Sequence, residues 1–224
     1  MDVSAVVFDF DGLVLETEAP VYLAWKEVWA EHGHELVLED WARCIGTSYS
    51  DDTFHPVREL AARCGRAFDE AELDARVSAR TASLLADVGL SPGVSEWLAE
   101  ADRAGLGVAI ASSSARSWIV EHLERLGALD RFPVIASYDD VGVRKPLPDA
   151  YVHACAQLGV TTAAALAVED STHGIAAAKA AGLWCVAVPT AMTAHMEFSQ
   201  ADLVVESLAS TSLATVIELR SGTR

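Results

Sequence analysis

Ser4-Ala5-Val6-Val7-Phe8-Asp9-Phe10-Asp11-Gly12 runs from an apolar stretch straight into two carboxylates and a glycine. Its apolar residues do not alternate with polar ones, so a strand here is covered on both faces, as in a parallel sheet beneath helices. Three later runs repeat the pattern: 107–111 leads into Ser112-Ser113-Ser114, 165–168 into Glu169-Asp170, and 184–188 into Pro189. Weaker strand candidates lie at 133–136 and 201–205. Helical patterns separate the strands at 91–104, 116–126, 147–158, 171–181 and 208–219, and Gly105, Gly127, Gly159 and Gly182 stop the first four. In the first of them Ser91 reads as the cap and Pro92 as a first-turn residue. Strand and helix alternate from residue 91 onward, which predicts a doubly wound α/β sheet.

One segment breaks that alternation. Between the first strand and residue 91 the pattern is helical only, over 20–31, 39–44, 51–63 and 69–87. A stretch of that length is too long for a simple crossover. It predicts an all-α helical cap inserted at 17–88, with the catalytic core at 1–16 and 89–224. The cap would sit over the carboxyl end of the sheet, where open α/β sheets bind ligands, and could act as a lid.

With 224 residues, 51% of them hydrophobic, the chain can bury a full core. Acidic residues break every apolar run well before membrane-spanning length, and the first residues lack a signal-peptide pattern. The expectation is a cytoplasmic protein, a monomer by default. Formal charge is −17, from 33 acidic against 16 basic residues. Such a surface repels nucleic acid and anionic membranes, so neither is an expected partner. It also repels a phosphorylated substrate, so an anion site must supply its own local positive field. Cys44, Cys64, Cys155 and Cys185 show no metal or redox spacing and read as small reduced core residues.

Polar clusters follow the apolar strands, and parallel strands would bring them to one edge. Asp9 and Asp11 lie two residues apart at a strand end, with Gly12 allowing a sharp turn. Like charges so placed repel, and Glu169 and Asp170 add two more, so the set calls for a divalent cation. All-oxygen ligands favour Mg²⁺. Ser112-Ser113-Ser114 precedes a helix, where free backbone N–H groups and a hydroxyl can form an anion pocket. Lys145 stands before Pro146 in a stiff loop that can aim its ammonium. Mg²⁺ and Lys145 would then provide the local positive field.

These residues resemble the haloacid dehalogenase superfamily, in its phosphatase and β-phosphoglucomutase-like branch. The carriers are Asp9-Phe10-Asp11-Gly12-Leu13-Val14-Leu15-Glu16-Thr17-Glu18, Ser112, Lys145-Pro146-Leu147-Pro148-Asp149 and Val168-Glu169-Asp170-Ser171-Thr172-His173-Gly174-Ile175, in the family's order. The resemblance implies a Rossmann-like core with an α-helical cap. It implies Asp9 as nucleophile forming an aspartyl-phosphate, and Asp11 as general acid and base. Asp9, the Asp11 carbonyl and Asp170, with Glu169 on or beside it, would hold Mg²⁺. Ser112, Ser113 and Lys145 would bind the phosphoryl oxygens. An acid at Asp11 argues against a dehalogenase.

Mutases of this branch carry a His in the first cap helix and cations around the cap loop. Val21 falls at that His position, Ile45 and Tyr49 stand where the cations are expected, and no Lys or Arg lies between Ile45 and Phe54. Hydrolysis of a small phosphorylated metabolite is therefore favoured over a sugar-phosphate mutase. A receiver-like phospho-accepting module is disfavoured by the large helical insertion and by Asp11, which would hasten loss of the phosphoryl group. An interaction protein that keeps the fold without the activity is disfavoured by the presence of every motif residue. His32 and His34 read as exposed, His173 as a surface residue at a helix start, and Trp25, Trp29 and Trp41 as cap core. Arg58, Arg63 and Arg66 read as surface cations, and Arg144 as a candidate for reaching substrate.

Overall fold

The computed structural model describes residues 2–46, 49 and 54–222. Strand β1, Ala5–Phe8, is followed by four helices, α1 Glu18–Glu31, α2 Leu38–Trp41, α3 Pro56–Cys64 and α4 Glu70–Leu85. Then come α5 Val94–Arg103, β2 Gly107–Ala111, α6 Arg116–Arg125, β3 Val134–Ala136 and the short α7 Tyr138–Val141. The chain continues through α8 Asp149–Gln157, β4 Ala165–Glu169, α9 Thr172–Ala180, β5 Trp184–Ala187, β6 Leu203–Val204 and α10 Leu213–Gly222. All six strands are parallel, in the order β3-β2-β1-β4-β5-β6. The predicted α/β class and its inserted helices are what the structure holds. No helix among the described residues is long and apolar enough to cross a membrane.

Side-chain size sorts the two faces of the sheet. Val6, Phe8, Ile110, Leu166 and Val168 point to one face and meet Trp97, Leu98 and Val216. Ala5, Val7, Ala109, Ala111, Ala165 and Ala167 line the other, against Ala150, Tyr151, Ala154, Ile175 and Ala178. Alanines on both sides of that contact let α8 and α9 approach the strands closely. This close approach brings Tyr151 and the loop before α8 to the sheet's carboxyl edge. From β3 the chain crosses to the opposite side of β1, so the carboxyl end of β1 borders the crevice where the winding reverses.

Helices α1–α4 bury a separate cluster that includes Trp25, Trp29, Trp41, Leu60 and Leu73, and Met192 reaches it from the core. The three tryptophans are buried as expected. Ion pairs Arg76–Glu31 and Arg80–Glu27 join α4 to α1 on the exposed side, where screening makes them weak.

Several boundaries differ from the sequence reading. Helix α5 starts at Val94, not at Ser91, because Gly93 takes φ 90° and Ser91 spends its N–H on the Val14 carbonyl. Residues 208–212 are not helical. The Trp97 indole N–H donates to the Leu208 and Thr211 carbonyls (3.1 and 2.8 Å) and holds a turn there, so α10 begins at Leu213. Helix α3 starts at Pro56, and the 51–53 part of its expected span lies outside the described residues. His32 and His34 are half-buried rather than exposed, and the His32 ring lies 4.8 Å from that of Phe68.

Candidate active site

Asp9 is the first residue past β1, and its N–H still donates to the Val168 carbonyl of β4 (2.9 Å), which fixes its side chain over the gap between the two strands. The Lys145 ammonium, 3% exposed, bridges Asp9 Oδ1 and Glu169 Oε1, the latter at 2.5 Å. Glu169 Oε1 also accepts from the Tyr151 hydroxyl (2.6 Å), and Oε2 lies 3.3 Å from the Ser171 hydroxyl. Asp170 Oδ2 is buried without a hydrogen-bond donor among the described residues. Oxygens of Asp9, Glu169 and Asp170 all lie within 4.8 Å of one another.

Three buried carboxylates against one ammonium leave an excess of negative charge. Burial pushes Asp9 upward, against the pull of Lys145, and the Glu169 charge adds to the rise. Burial, Asp9 and Glu169 likewise lift Asp170 well above the carboxylate range. Burial alone would lower Lys145, but Asp9 and Glu169 outweigh it and keep the ammonium charged. The missing positive charge, the undonated Asp170 oxygen and the oxygen-only donor set together fit a hard divalent cation.

Two glycines let the cage close. A Cβ on Gly12, whose φ is +85°, would lie 2.3 Å from Asp170 Oδ2. One on Gly174 would lie 1.9 Å from Glu169 Oε1. Neither position has room for a side chain.

Asp11 points elsewhere. Its Oδ1 accepts from the Thr17 hydroxyl (2.9 Å) and the Trp118 indole N–H (2.8 Å). Its Oδ2 accepts from the Ser114 hydroxyl (2.6 Å), with the Ser112 hydroxyl at 3.4 Å. The carboxylate thus stands beside the acidic cage, outside it, tied to the core helix α6 and to the start of the cap.

Ser112 is not a helix cap, since α6 begins at Arg116; its hydroxyl accepts from the Ser114 N–H (3.0 Å) and shapes a tight turn. The Ser113 hydroxyl accepts from the Lys145 N–H (3.2 Å) and donates to the Gly46 carbonyl of the cap (3.4 Å). His173, expected at the surface, is half-buried, and Nδ1–H donates to the Ile45 carbonyl (3.0 Å). Ser113 and His173 therefore join the core to the cap.

A cavity of about 340 Å³ opens over these groups. Asp9, Asp11 and Ser112 form its floor, while Glu18, Val21, Trp41 and Tyr49 come from the cap side. Arg144 also lines it, with its guanidinium 3.7 Å from the centre of the Tyr138 ring. Ile45, at a position where a cation is expected in the mutases, is buried in the cap core. Burial and the charges of Asp11, Glu16 and Asp9 push Glu18 up to about 8. Tyr151, Trp118 and Thr17 join the site without having stood out in the sequence. Tyr151 and Trp118 carry no motif, whereas Thr17 lies inside the first one.

The sequence pattern of the family described as "Haloacid dehalogenase-like hydrolase" matches residues 6–188. A Bacillus subtilis (strain 168) protein named "Putative phosphatase YhcW" is 38% identical over 216 residues, 96% of this chain and 97% of its own length. Protein CbbY of Rhodobacter capsulatus is 34% identical, covering 98% of this chain and all of its own. The crystal structure of CbbY from Rhodobacter sphaeroides in complex with phosphate superimposes with a TM-score of 0.75 at 34% identity, over 95% of this chain and 98% of that one. On these grounds, and on the order of its four motifs along a parallel sheet, the chain belongs to the haloacid dehalogenase-like hydrolase family.

Proposed function

We propose that the chain is a Mg²⁺-dependent phosphatase that hydrolyses a small phosphorylated metabolite through an aspartyl-phosphate on Asp9. The observation that carries this reading is the meeting of Asp9, Lys145 and Asp170 at one strand edge, with a separately held Asp11 beside them. An Asp9 oxygen attacks phosphorus, and the substrate alcohol departs with a proton from Asp11. Water then attacks the same phosphorus, giving its proton to Asp11, and inorganic phosphate leaves as the Asp9 carboxylate is restored. The Ser112 hydroxyl, the Ser113 region and the Lys145 ammonium hold the phosphoryl oxygens as charge spreads over them. The Asp9 side chain, the Asp11 carbonyl and Asp170 would hold Mg²⁺, which would supply positive charge to offset that of the transferring group. Both Glu169 oxygens already have protein partners, so Glu169 serves mainly to orient Lys145.

We take 17–88 as the cap and 1–16 with 89–224 as the core. Hydrolysis is preferred over a mutase because the described cap residues lining the cavity (among them Val21, Trp41 and Tyr49) include no cation for a second phosphate. The CbbY structures include one with xylulose-1,5-bisphosphate bound; in this chain the lack of a cation among the described cap residues lining the cavity favours a monophosphate. The test is phosphate release from an aryl phosphate with Mg²⁺ present. Asp9→Asn should abolish it, and Asp11→Asn should slow it by roughly 10²–10⁴-fold. Near-wild-type turnover by Asp9→Asn would remove Asp9 as the nucleophile.

A further inference from the structure

Trp118, the third residue of α6, stands between the cavity over Asp9 and a second cleft of about 360 Å³ between α1 and α4, and lines both. Its indole N–H donates to Asp11 Oδ1 (2.8 Å). Its ring meets that of His122, one helical turn on, in a T-shaped contact with centroids 4.2 Å apart. We propose that Trp118 is a positioning residue that fixes the Asp11 carboxyl group and confines its transferable proton to Oδ2. The proposal rests on the phosphatase reading and deepens it, since it says which oxygen of the general acid serves the leaving group.

The donors around Asp11 differ in what they can do. Oδ1 accepts from the Trp118 indole N–H and the Thr17 hydroxyl, which take up the two lone pairs of that oxygen. An indole N–H only donates, so a proton on Oδ1 would face another proton at Trp118. Around Oδ2 the neighbours are hydroxyls, Ser114 at 2.6 Å and Ser112 at 3.4 Å. A hydroxyl rotates, donating to a carboxylate or accepting from a carboxylic acid, so Oδ2 gains and loses a proton without an unmatched donor. In the proposed cycle the Oδ2–H bond breaks as its proton passes to the alcohol oxygen leaving phosphorus, and the bonding pair stays on Asp11. That bond forms again when water attacks the phosphorus and gives up a proton. Oδ1 keeps both donors throughout. Helix α6 holds the indole in this direction. Its Ile119 and Leu123 are fully buried. Arg116 donates to the Ile135 carbonyl (2.6 Å) and to Asp140, and Arg125 to the Ala86 and Val88 carbonyls (3.2 and 2.9 Å). His122 is 5% exposed, and neither ring nitrogen has a hydrogen-bond partner among the described residues. Its part here is to pack against the Trp118 ring.

The experiment compares kcat/KM for phenyl phosphate and 4-nitrophenyl phosphate, with Mg²⁺ present, in wild type and Trp118→Phe. For a two-step reaction kcat/KM reports the steps up to the aspartyl-phosphate, and nitrophenolate departs without the proton that phenolate needs. Trp118→Phe keeps an aromatic ring beside His122 and removes the N–H. Phenyl phosphate should lose roughly 10–100-fold, as expected for one hydrogen bond to a charged group, and 4-nitrophenyl phosphate much less. Equal losses on both would mark a merely structural role, and no loss in a folded variant would mark an idle contact; either overturns the proposal. Nuclear magnetic resonance of protein labelled with ¹⁵N-tryptophan gives a readout free of turnover. Asp11→Asn should move the Trp118 indole proton upfield, because an amide oxygen is a weaker acceptor than a carboxylate. An unmoved resonance would overturn the proposal, even where Trp118→Phe does not fold. Absence of wild-type turnover on both compounds would defeat the phosphatase reading, and the indole resonance would then decide by itself whether Trp118 holds Asp11.

Discussion

The Glu169 carboxylate fills the space beside Gly174, where an added Cβ would lie 1.9 Å from Oε1. With no room for a Cβ at 174, Gly174→Ala must push the Glu169 carboxylate out of its bonds with Lys145 and Tyr151. Loss of such a supporting contact weakens metal affinity by roughly 10–100-fold in comparable sites. The expected result is a corresponding rise in the Mg²⁺ Kd by titration calorimetry; an unchanged Kd in the folded variant would show that this packing does not support the cage. At this scale the motif acids, Ser112 and Lys145 were legible, because the acids and Ser112 each follow an apolar run and Lys145 sits in a proline-stiffened loop. Tyr151 and Trp118 were not. Both lie within helical stretches and outside any motif, and only the fold sets them against Glu169 and Asp11, 18 and 107 residues away.

Among the elements, the short α7 ties β3 to α6 through Asp140. Burial would raise its pKa, but the Ser137 hydroxyl, the Arg116 guanidinium and the Ser137 N–H outweigh it and hold it at about 2. A carboxylate depressed in the folded state stabilises above its unfolded pKa, near 4, and loses that contribution as pH falls through about 2. Asp140→Asn should therefore cost about 1 kcal/mol at pH 7, after allowance for solvent screening, and nearly nothing at pH 2. Urea denaturation at the two pH values checks this, and an equal cost at both would assign the loss to hydrogen bonding alone. The four inner strands were legible because burial on both faces writes a continuous apolar run, whereas the edge strands β3 and β6 read more weakly, and Val204 of β6 is exposed. Helix starts were less so. Ser91 looks like a cap in isolation, yet Gly93 must pack against the backbone of Leu208 and Ala209, and that contact sets where α5 begins.

The whole molecule combines a strongly acidic chain with a site that must hold a phosphate. The two are compatible because the positive field is local: Lys145 is buried between Asp9 and Glu169, and the remaining carboxylate charge is suited to a cation. The missing strand–helix alternation between β1 and α5 made the inserted helices legible, whereas the way their faces meet was not. The cleft between α1 and α4 arises from helix faces that meet only after folding, with Val21 and Trp25 of one helix set against Thr81 of the other. The central claim is covalent, and it can be read directly. Wild-type protein turning over an aryl phosphate with Mg²⁺ is quenched in acid, reduced with borohydride and digested for mass spectrometry. An acyl phosphate on Asp9 predicts homoserine at position 9; an unmodified Asp9 under steady turnover, or homoserine at another aspartate, would contradict the account.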